Sequence, residues 1–206
     1  MYQTKMYQQE VPMAEFIAKY RDADKFMEYC RACPNYNTRW SCPSLSFEVE
    51  DVLAKYSRVH LVGLKMTYDE ATIRSADTIE KVKQVTWDTL FVEKRALEET
   101  LLAVESTLVG SMCLSSGGCH YCETCARSVG KPCAYPDKMR YSLDAFGFDL
   151  TAITADCFGI DLCWSQGKLP PYYTLIHAIF LPEGADIAGE ELAARVRDEH
   201  QKQTAK

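Results

Sequence analysis

The chain has 206 residues, of which 47% are hydrophobic and 25% are charged, and its net charge at pH 7 is −6. This length and composition are typical of one globular domain with an apolar core, and we predict a single metal-binding domain over 1–206. The acidic balance, with no long run of Lys or Arg, argues against a nucleic acid partner. No apolar stretch predicts a membrane span or a secretory signal, so we expect a cytoplasmic protein without a membrane partner.

The hydrophobic pattern predicts an α/β or α+β fold, with a small mixed sheet, packed helices and cysteine-rich loops at one end. In chain order, the predicted elements are a helix over 11–28, a loop over 34–47, a strand over 57–66, a helix over 79–108 with a break near 87–93, a strand over 108–114, a short helix over 137–146, a strand over 172–181 and a helix over 187–200. The segment 149–160 fits neither period. The region 57–114 reads as a β–α–β unit, whose crossover is right-handed if its two strands are parallel.

Eight of the ten cysteines fall in two short blocks. The first cysteine set, in a loop over about 29–47, is Cys30, Cys33 and Cys42. The second loop, over about 113–136, contains Cys113 and then the second cysteine set, which is Cys119, Cys122, Cys125 and Cys133. The C-x2-C-x2-C run of the second set resembles the ligand run of bacterial iron–sulfur ferredoxins, and Gly117 and Gly118 allow close approach of backbone to sulfur. We therefore predict that the second cysteine set binds one metal centre.

Two metals compete in this interpretation. One or two [4Fe–4S] clusters suit a three-fold cysteine run, because each cysteine addresses a different iron. Zinc would use two C-x2-C pairs, Cys30/Cys33 and Cys122/Cys125, and would leave Cys119 as a spare thiolate. A cytosolic chain keeps its thiols reduced, which disfavours a disulfide framework. The first cysteine set lacks a fourth ligand nearby, and the candidates are Cys113, Cys157, Cys163 or an open position.

Three further side chains are candidates for cofactor binding. Arg39 and Trp40 lie beside the first cysteine set, where they either shield a metal from water or present Arg39 to an anionic group. Arg140 holds an anion, offsets the charge of a cluster or caps the short helix that follows. The four histidines do not predict a histidine zinc site. We expect His120 in an exposed loop, His60 and His177 half-buried in strands, and His200 on a polar tail.

The combined pattern resembles a family of "predicted metal-binding proteins" (domain of unknown function 2284) that is common in anaerobic bacteria and archaea. The matching segments are Cys30-x2-Cys33, Trp40–Pro43, Gly117–Cys125, Pro132-Cys133, Pro136 and Arg140–Asp149. Ser44 departs from the pattern, because a second proline is expected after Cys42-Pro43. The resemblance covers most of 28–181 and implies metal binding in an anaerobe's cytosol, with no established reaction.

The function that we predict is iron–sulfur electron transfer to a redox partner protein. An alternative is an enzyme that presents an open metal site near the first cysteine set to a small-molecule substrate. A second alternative is a zinc-stabilised binding module. The sequence contains no nucleophile elbow, Walker A segment or dinucleotide fingerprint, and it identifies no catalytic residue.

Overall fold

The computed structural model of the protein describes residues 1–205, which form a four-stranded sheet and its packed helices. The strands are β1 (Tyr2–Pro12), β2 (Tyr56–Tyr68), β3 (Met112–Leu114) and β4 (Tyr172–Pro182). The helices are α1 (Met13–Tyr20), α2 (Ala23–Ala32), α3 (Val49–Leu53), α4 (Glu70–Ser75), α5 (Ile79–Thr86), α6 (Val92–Glu105), α7 (Leu150–Phe158) and α8 (Gly189–Thr204). No helix in this part of the chain is long and apolar enough to cross a membrane.

The strand order is β1-β2-β4-β3, and each pair of neighbours is antiparallel. Because β2 and β3 are both antiparallel to β4, they run parallel to each other with β4 between them. The predicted β–α–β unit therefore exists, but its crossover skips one position in the sheet. The predicted fold class, helices packed on a small sheet, is confirmed, although the neighbouring strands are antiparallel and not mixed.

Alternate residues of the strands face two separate apolar cores. One core combines Val59, Leu61, Ile176 and Phe180 with Phe16, Phe146, Phe148 and Ile153 from α1, α7 and the turn before α7. The other combines Val62, Leu64, Ile179 and Leu181 with Leu97, Leu101, Leu192 and Val196 from α6 and α8. Each fully buried side chain of this size stabilises the fold by about 1.5–3 kcal/mol. Both cores are built without any member of the two cysteine sets.

The predicted helix over 11–28 is two helices. Arg21 ends α1 in an extended conformation, and the side chain of Asp22 accepts a hydrogen bond from the Lys25 N–H at the start of α2. This N-cap begins a new helix and turns the chain toward Cys30. The break predicted near 87–93 is a π-helical turn over Trp87–Phe91.

Three other elements differ from the sequence prediction. β1 was not predicted, because it is a polar edge strand whose side chains are mostly exposed or half-buried. The predicted strand over 108–114 is only Met112–Leu114. The segment 137–146 is not a helix. Its only helical residues are the 3₁₀ turn Asp144–Phe146, because Arg140 donates to the carbonyls of Asp137 and Met139 and holds an irregular turn.

Candidate metal centres

The two cysteine loops meet where β3 ends. Ser115 follows β3 and forms a parallel bridge with Ser142, and the Ser142 N–H donates to the carbonyl of Ser41 at 3.4 Å. All three serines are buried, with 0–3% of their surface exposed. This short extension of the sheet brings the segment before Cys42 beside the segment before Cys119.

Side-chain hydrogen bonds join the two loops into one unit. The hydroxyl of Ser41 accepts the Cys119 N–H at 2.8 Å, and Arg39 Nη1 donates to the Cys119 carbonyl at 2.5 Å. Arg127 from the second loop donates to the carbonyls of Arg39 and Cys42, at 3.0 and 2.7 Å. The cysteine-rich loops therefore lie together at one end of the molecule, as predicted.

The first cysteine set lines a single cavity of about 380 Å³ together with Asp144. Cys30 lies in the last turn of α2, Cys33 is the C-cap residue of that helix, and Cys42 is buried in the loop that follows. Burial, then the charges of Asp144 and the other two cysteines, raises the pKa of the Cys30 thiol to about 11. Burial also raises the pKa of Cys42, against the hydrogen bond from Ser41. Without metal, these two thiols carry their protons at neutral pH.

The second cysteine set forms a separate neighbourhood in the second loop. Gly117, with φ of +57°, turns the chain into Cys119, and no heavy atom lies within 4 Å of the place a Cβ would occupy. Burial raises the pKa of both Cys119 and Cys122, and the charge of Cys133 adds to each shift. Cys125 adds to the shift of Cys122. Cys133 is therefore close enough to influence Cys119 and Cys122, and Cys125 is close enough to influence Cys122.

These donors fit a thiophilic metal by their chemistry. All ten cysteines are free thiols. Within residues 1–205, no three Cys, His, Asp or Glu side chains are placed so that they could hold a single ion without moving. Three thiols and a carboxylate around one cavity, and four thiols in one loop, are nevertheless the ligand types that zinc and iron–sulfur centres use.

Cys113 lies with neither set. It belongs to the core between the sheet and α6, where its thiol donates to the Leu101 carbonyl at 3.4 Å and is 2% exposed. Burial raises the pKa of this thiol well above its usual value. Cys157 lies 3.6 Å from the Tyr20 hydroxyl, and neither Cys157 nor Cys163 lines the cavity of the first set.

The predicted cofactor-binding side chains all have hydrogen-bond partners within the protein. Arg39 donates to Asn35 as well as to Cys119. Trp40 donates its indole N–H to the Lys131 carbonyl and lies under the guanidinium of Arg127, 5.1 Å from the ring centre. Arg140 forms an ion pair with Glu105. In this arrangement they order the loops and leave few donors for an anionic ligand.

Lys94 is a buried cation beneath the second loop, and the sequence analysis did not identify it. Its side chain is 5% exposed, its ammonium donates to the Gly118 carbonyl at 2.5 Å, and it lies 3.5 Å from the Glu98 carboxylate. Burial lowers its pKa, while Glu98 and Cys119 raise it. The sequence does indicate that Lys94 faces the core, because its spacing places it between Leu90 and Leu97 in the apolar stripe of the helix.

The histidines do not join either set, and all four differ from expectation. His120 is half-buried, packs edge-on against Phe91 at 4.5 Å between ring centres, and burial lowers its pKa to about 3. His200 is not on a polar tail, since it lies in α8 with Nδ1 3.2 Å from the Thr100 hydroxyl. His60 and His177 are more buried than expected, at 2% and 1% exposed.

The sequence model of a protein family described as "Predicted metal-binding protein (DUF2284)" matches residues 17–177. The matched range contains both cysteine sets, Lys94 and Asp144. No curated protein and no solved structure matches the chain.

Proposed function

The chain belongs to the predicted metal-binding protein family (DUF2284), and from this premise we propose that it carries [4Fe–4S] clusters and transfers electrons to a partner protein in the cytoplasm. The observation that carries the proposal is the second cysteine set. Its C-x2-C-x2-C run and Cys133 place four thiols in one loop, and the charge of Cys133 acts on both Cys119 and Cys122. When bound there, an iron–sulfur cluster takes up and releases single electrons.

The residues around the second set would tune such a centre. The Lys94 ammonium donates a hydrogen bond to the Gly118 carbonyl in the turn before Cys119. The Ser41 hydroxyl accepts the Cys119 N–H, and the Arg39 guanidinium donates to the Cys119 carbonyl. A buried positive charge favours the more negative, reduced state of a cluster, and hydrogen bonding around the ligands shifts its potential in the same direction. Lys94 is therefore positioned to raise the potential.

The same loop also offers access to a partner. Cys122 and Cys125 are half-buried, and Glu123 and Thr124 between them are exposed. A protein that docks over 122–125 would lie against the ligand loop itself. This placement supports the proposal of a redox partner protein.

A second candidate function is an enzyme in which the first cysteine set holds a metal that a small molecule reaches. The cavity of about 380 Å³ favours it, because its wall combines the three thiols with Phe26, Tyr29 and Trp164. This mixture of apolar surface and a few polar groups is typical of small-molecule sites. The zinc-stabilised module is the third candidate, and the metal content of the purified protein separates it from the iron–sulfur proposal.

The test is the metal content of protein purified without oxygen. We expect iron and acid-labile sulfide in equal amounts, a broad visible charge-transfer band, and an electron paramagnetic resonance signal after reduction. Cys122→Ser should remove the signal of one centre, whereas the matched variant Cys113→Ser should leave it. Colourless protein with stoichiometric zinc would overturn the iron–sulfur proposal.

A further inference from the structure

We propose that Asp144 is the fourth ligand of the first metal site, completing the set formed by Cys30, Cys33 and Cys42. The inference rests on the proposed function, since it assigns a ligand to one of its metal centres. Asp144 lines the same cavity as the three cysteines. Asp144 lies about a hundred residues after these cysteines in the chain, so the spacing of ligands in the sequence could not indicate that it shares their cavity.

The carboxylate of Asp144 has an unused acceptor. Its Oδ1 atom is buried and has no hydrogen-bond partner among the residues that the structure describes. A buried carboxylate oxygen without a partner costs free energy, because it has lost water and gained no donor in return. A metal ion in the adjoining cavity would supply the missing positive partner.

The backbone of Asp144 is fixed beside the cavity. Asp144 opens the 3₁₀ turn that ends at Phe146, and its carbonyl accepts the Gly147 N–H at 3.0 Å. Leu143 and Phe146, on either side, are 0% and 1% exposed in the apolar core. The carboxylate is thus presented from a rigid turn, as metal ligands commonly are.

Two of the basic side chains around Asp144, Arg21 and Lys94, donate to other groups. Arg21 shares a neighbouring cavity with Asp144, and it donates to the carbonyl of Phe146 and to Glu50. Lys94 donates to the Gly118 carbonyl. Oδ1 is therefore left without the ion pair that a structural aspartate usually makes.

The charge of Asp144 acts on the thiols of the first set. After burial, it is the largest cause of the raised pKa of Cys30, and it also raises the pKa of Cys42. Cys33 contributes to both shifts. The placement of the four donors rests on the cavity that they line together. Cys113, in contrast, lies in the core between the sheet and α6 with its thiol on the Leu101 carbonyl.

A carboxylate ligand in this position would weaken metal binding at the first site. Oxygen is a harder donor than sulfur and binds iron or zinc less tightly than a thiolate does. The metal position facing Asp144 would be the one that loses its ligand or its metal first. This makes the first site the more labile of the two centres.

The test compares four variants of the full-length chain, purified and reconstituted with iron and sulfide without oxygen. Asp144→Ala removes the ligand, Asp144→Cys replaces it with a thiol, and Cys113→Ser removes the rival ligand. Asp186→Ala is the matched surface control, because Asp186 is exposed and lines neither of the two cavities that Asp144 lines. Iron, sulfide and the reduced paramagnetic signals are measured for each, and far-UV circular dichroism monitors folding.

We expect Asp144→Ala to hold about half of the wild-type iron, with the signal of the second cysteine set unchanged, and Asp144→Cys to regain both centres with an altered first-site signal. Cys113→Ser and Asp186→Ala should match wild type. The assignment is overturned if Asp144→Ala keeps both signals unaltered, or if Cys113→Ser loses the first one. The retained second signal shows that an Asp144 variant has folded.

The two proposals fail in different ways. If wild-type protein binds zinc and no sulfide, the electron-transfer proposal fails, and the ligand assignment is then tested with cobalt in place of zinc. A weaker cobalt affinity at the first site of Asp144→Ala, with unchanged affinity in Cys113→Ser, supports Asp144 as a ligand. Equal affinity in wild type and Asp144→Ala overturns it.

Discussion

Ser41 connects the two cysteine loops through a single hydroxyl. It is fully buried, accepts the Cys119 N–H at 2.8 Å, and lies 3.6 Å from the Cys42 sulfur. One side chain thus contacts a cysteine of each set. No other serine in the described part of the chain has hydrogen bonds to both sets.

We expect Ser41→Ala to weaken metal retention in both loops. The change leaves the Cys119 N–H without its acceptor in a partly buried position, which costs up to about 1–3 kcal/mol. The measurement is the rate at which a chelator removes metal, together with the urea midpoint of the apo-protein. Ser75→Ala is the control, because Ser75 is exposed and donates only to a carbonyl within its own helix. Equal chelation rates for the two variants would contradict this role of Ser41.

The start of α2 determines where the first cysteine set lies. The Asp22 N–H donates to the Gly147 carbonyl at 2.9 Å, so the turn after Asp144 is tied to the N-terminus of the helix that carries Cys30. Gly147 has φ of +86°, and a Cβ there would lie 2.9 Å from the Ala23 Cα. The glycine is therefore required both for its conformation and for the close approach of α2.

We expect Gly147→Ala to displace α2 and to weaken the first site more than the second. Positive φ strains an alanine by about 1–3 kcal/mol, and the contact with Ala23 adds to that cost. Gly167→Ala is a matched control, because Gly167 has φ of +80° and nothing lies within 4 Å of the position that its Cβ would take. Urea unfolding and first-site metal content measure the difference. If both variants lose the same stability and the same first-site metal, the backbone strain explains the effect and the contact with α2 does not.

The π-helical turn Trp87–Phe91 allows one long helical segment to face two different surfaces. Val82, before the turn, packs with Tyr68 and Tyr173 in a small cluster at the end of the sheet. Leu97 and Leu101, after the turn, pack on the sheet itself. The extra residue in a π turn rotates the helix that follows. This rotation places Lys94 beneath the Gly118 carbonyl.

The whole molecule separates its apolar cores from its metal-ligand loops. The largest core side chains, including Phe16, Phe180, Leu64 and Leu97, are fully buried on the two faces of the sheet. The cysteine loops contain few aliphatic residues, and they are held mainly by hydrogen bonds such as those of Arg39 and Arg127. Hydrogen bonds of this kind each contribute about 0.5–1.5 kcal/mol net, which is less than metal–thiolate binding.

We therefore expect metal removal to loosen the loops and to leave the core folded. Under reducing conditions, the apo-protein should keep most of its far-UV circular dichroism, while cleavage by a protease begins within 29–47 and 115–136. The metal-loaded protein under the same protease is the control. Global unfolding of the apo-protein would contradict this expectation and would mean that the metal centres hold the core together.

The sequence alone predicted metal binding and determined much of the architecture. Metal binding, the family and the fold class follow from cysteine spacing and hydrophobic period, because ligands in one turn and residues on one helix face are close in the chain. The break at Trp87–Phe91 was predicted for the same reason. β1 could not be predicted, because an edge strand needs little alternation of apolar and polar residues. The burial of Lys94 could not be predicted either, because lysine side chains are usually exposed.

Only the tertiary structure decided which distant residues share a site. Asp144 joins the cavity of the first cysteine set because the turn before α7 packs against α2, and Cys113 is separated because β3 points it toward α6. The two loops meet because Ser41, Ser115 and Ser142 extend the edge of the sheet. Contacts of this kind depend on strand order and on the face to which a side chain points, and local spacing carries no information about either.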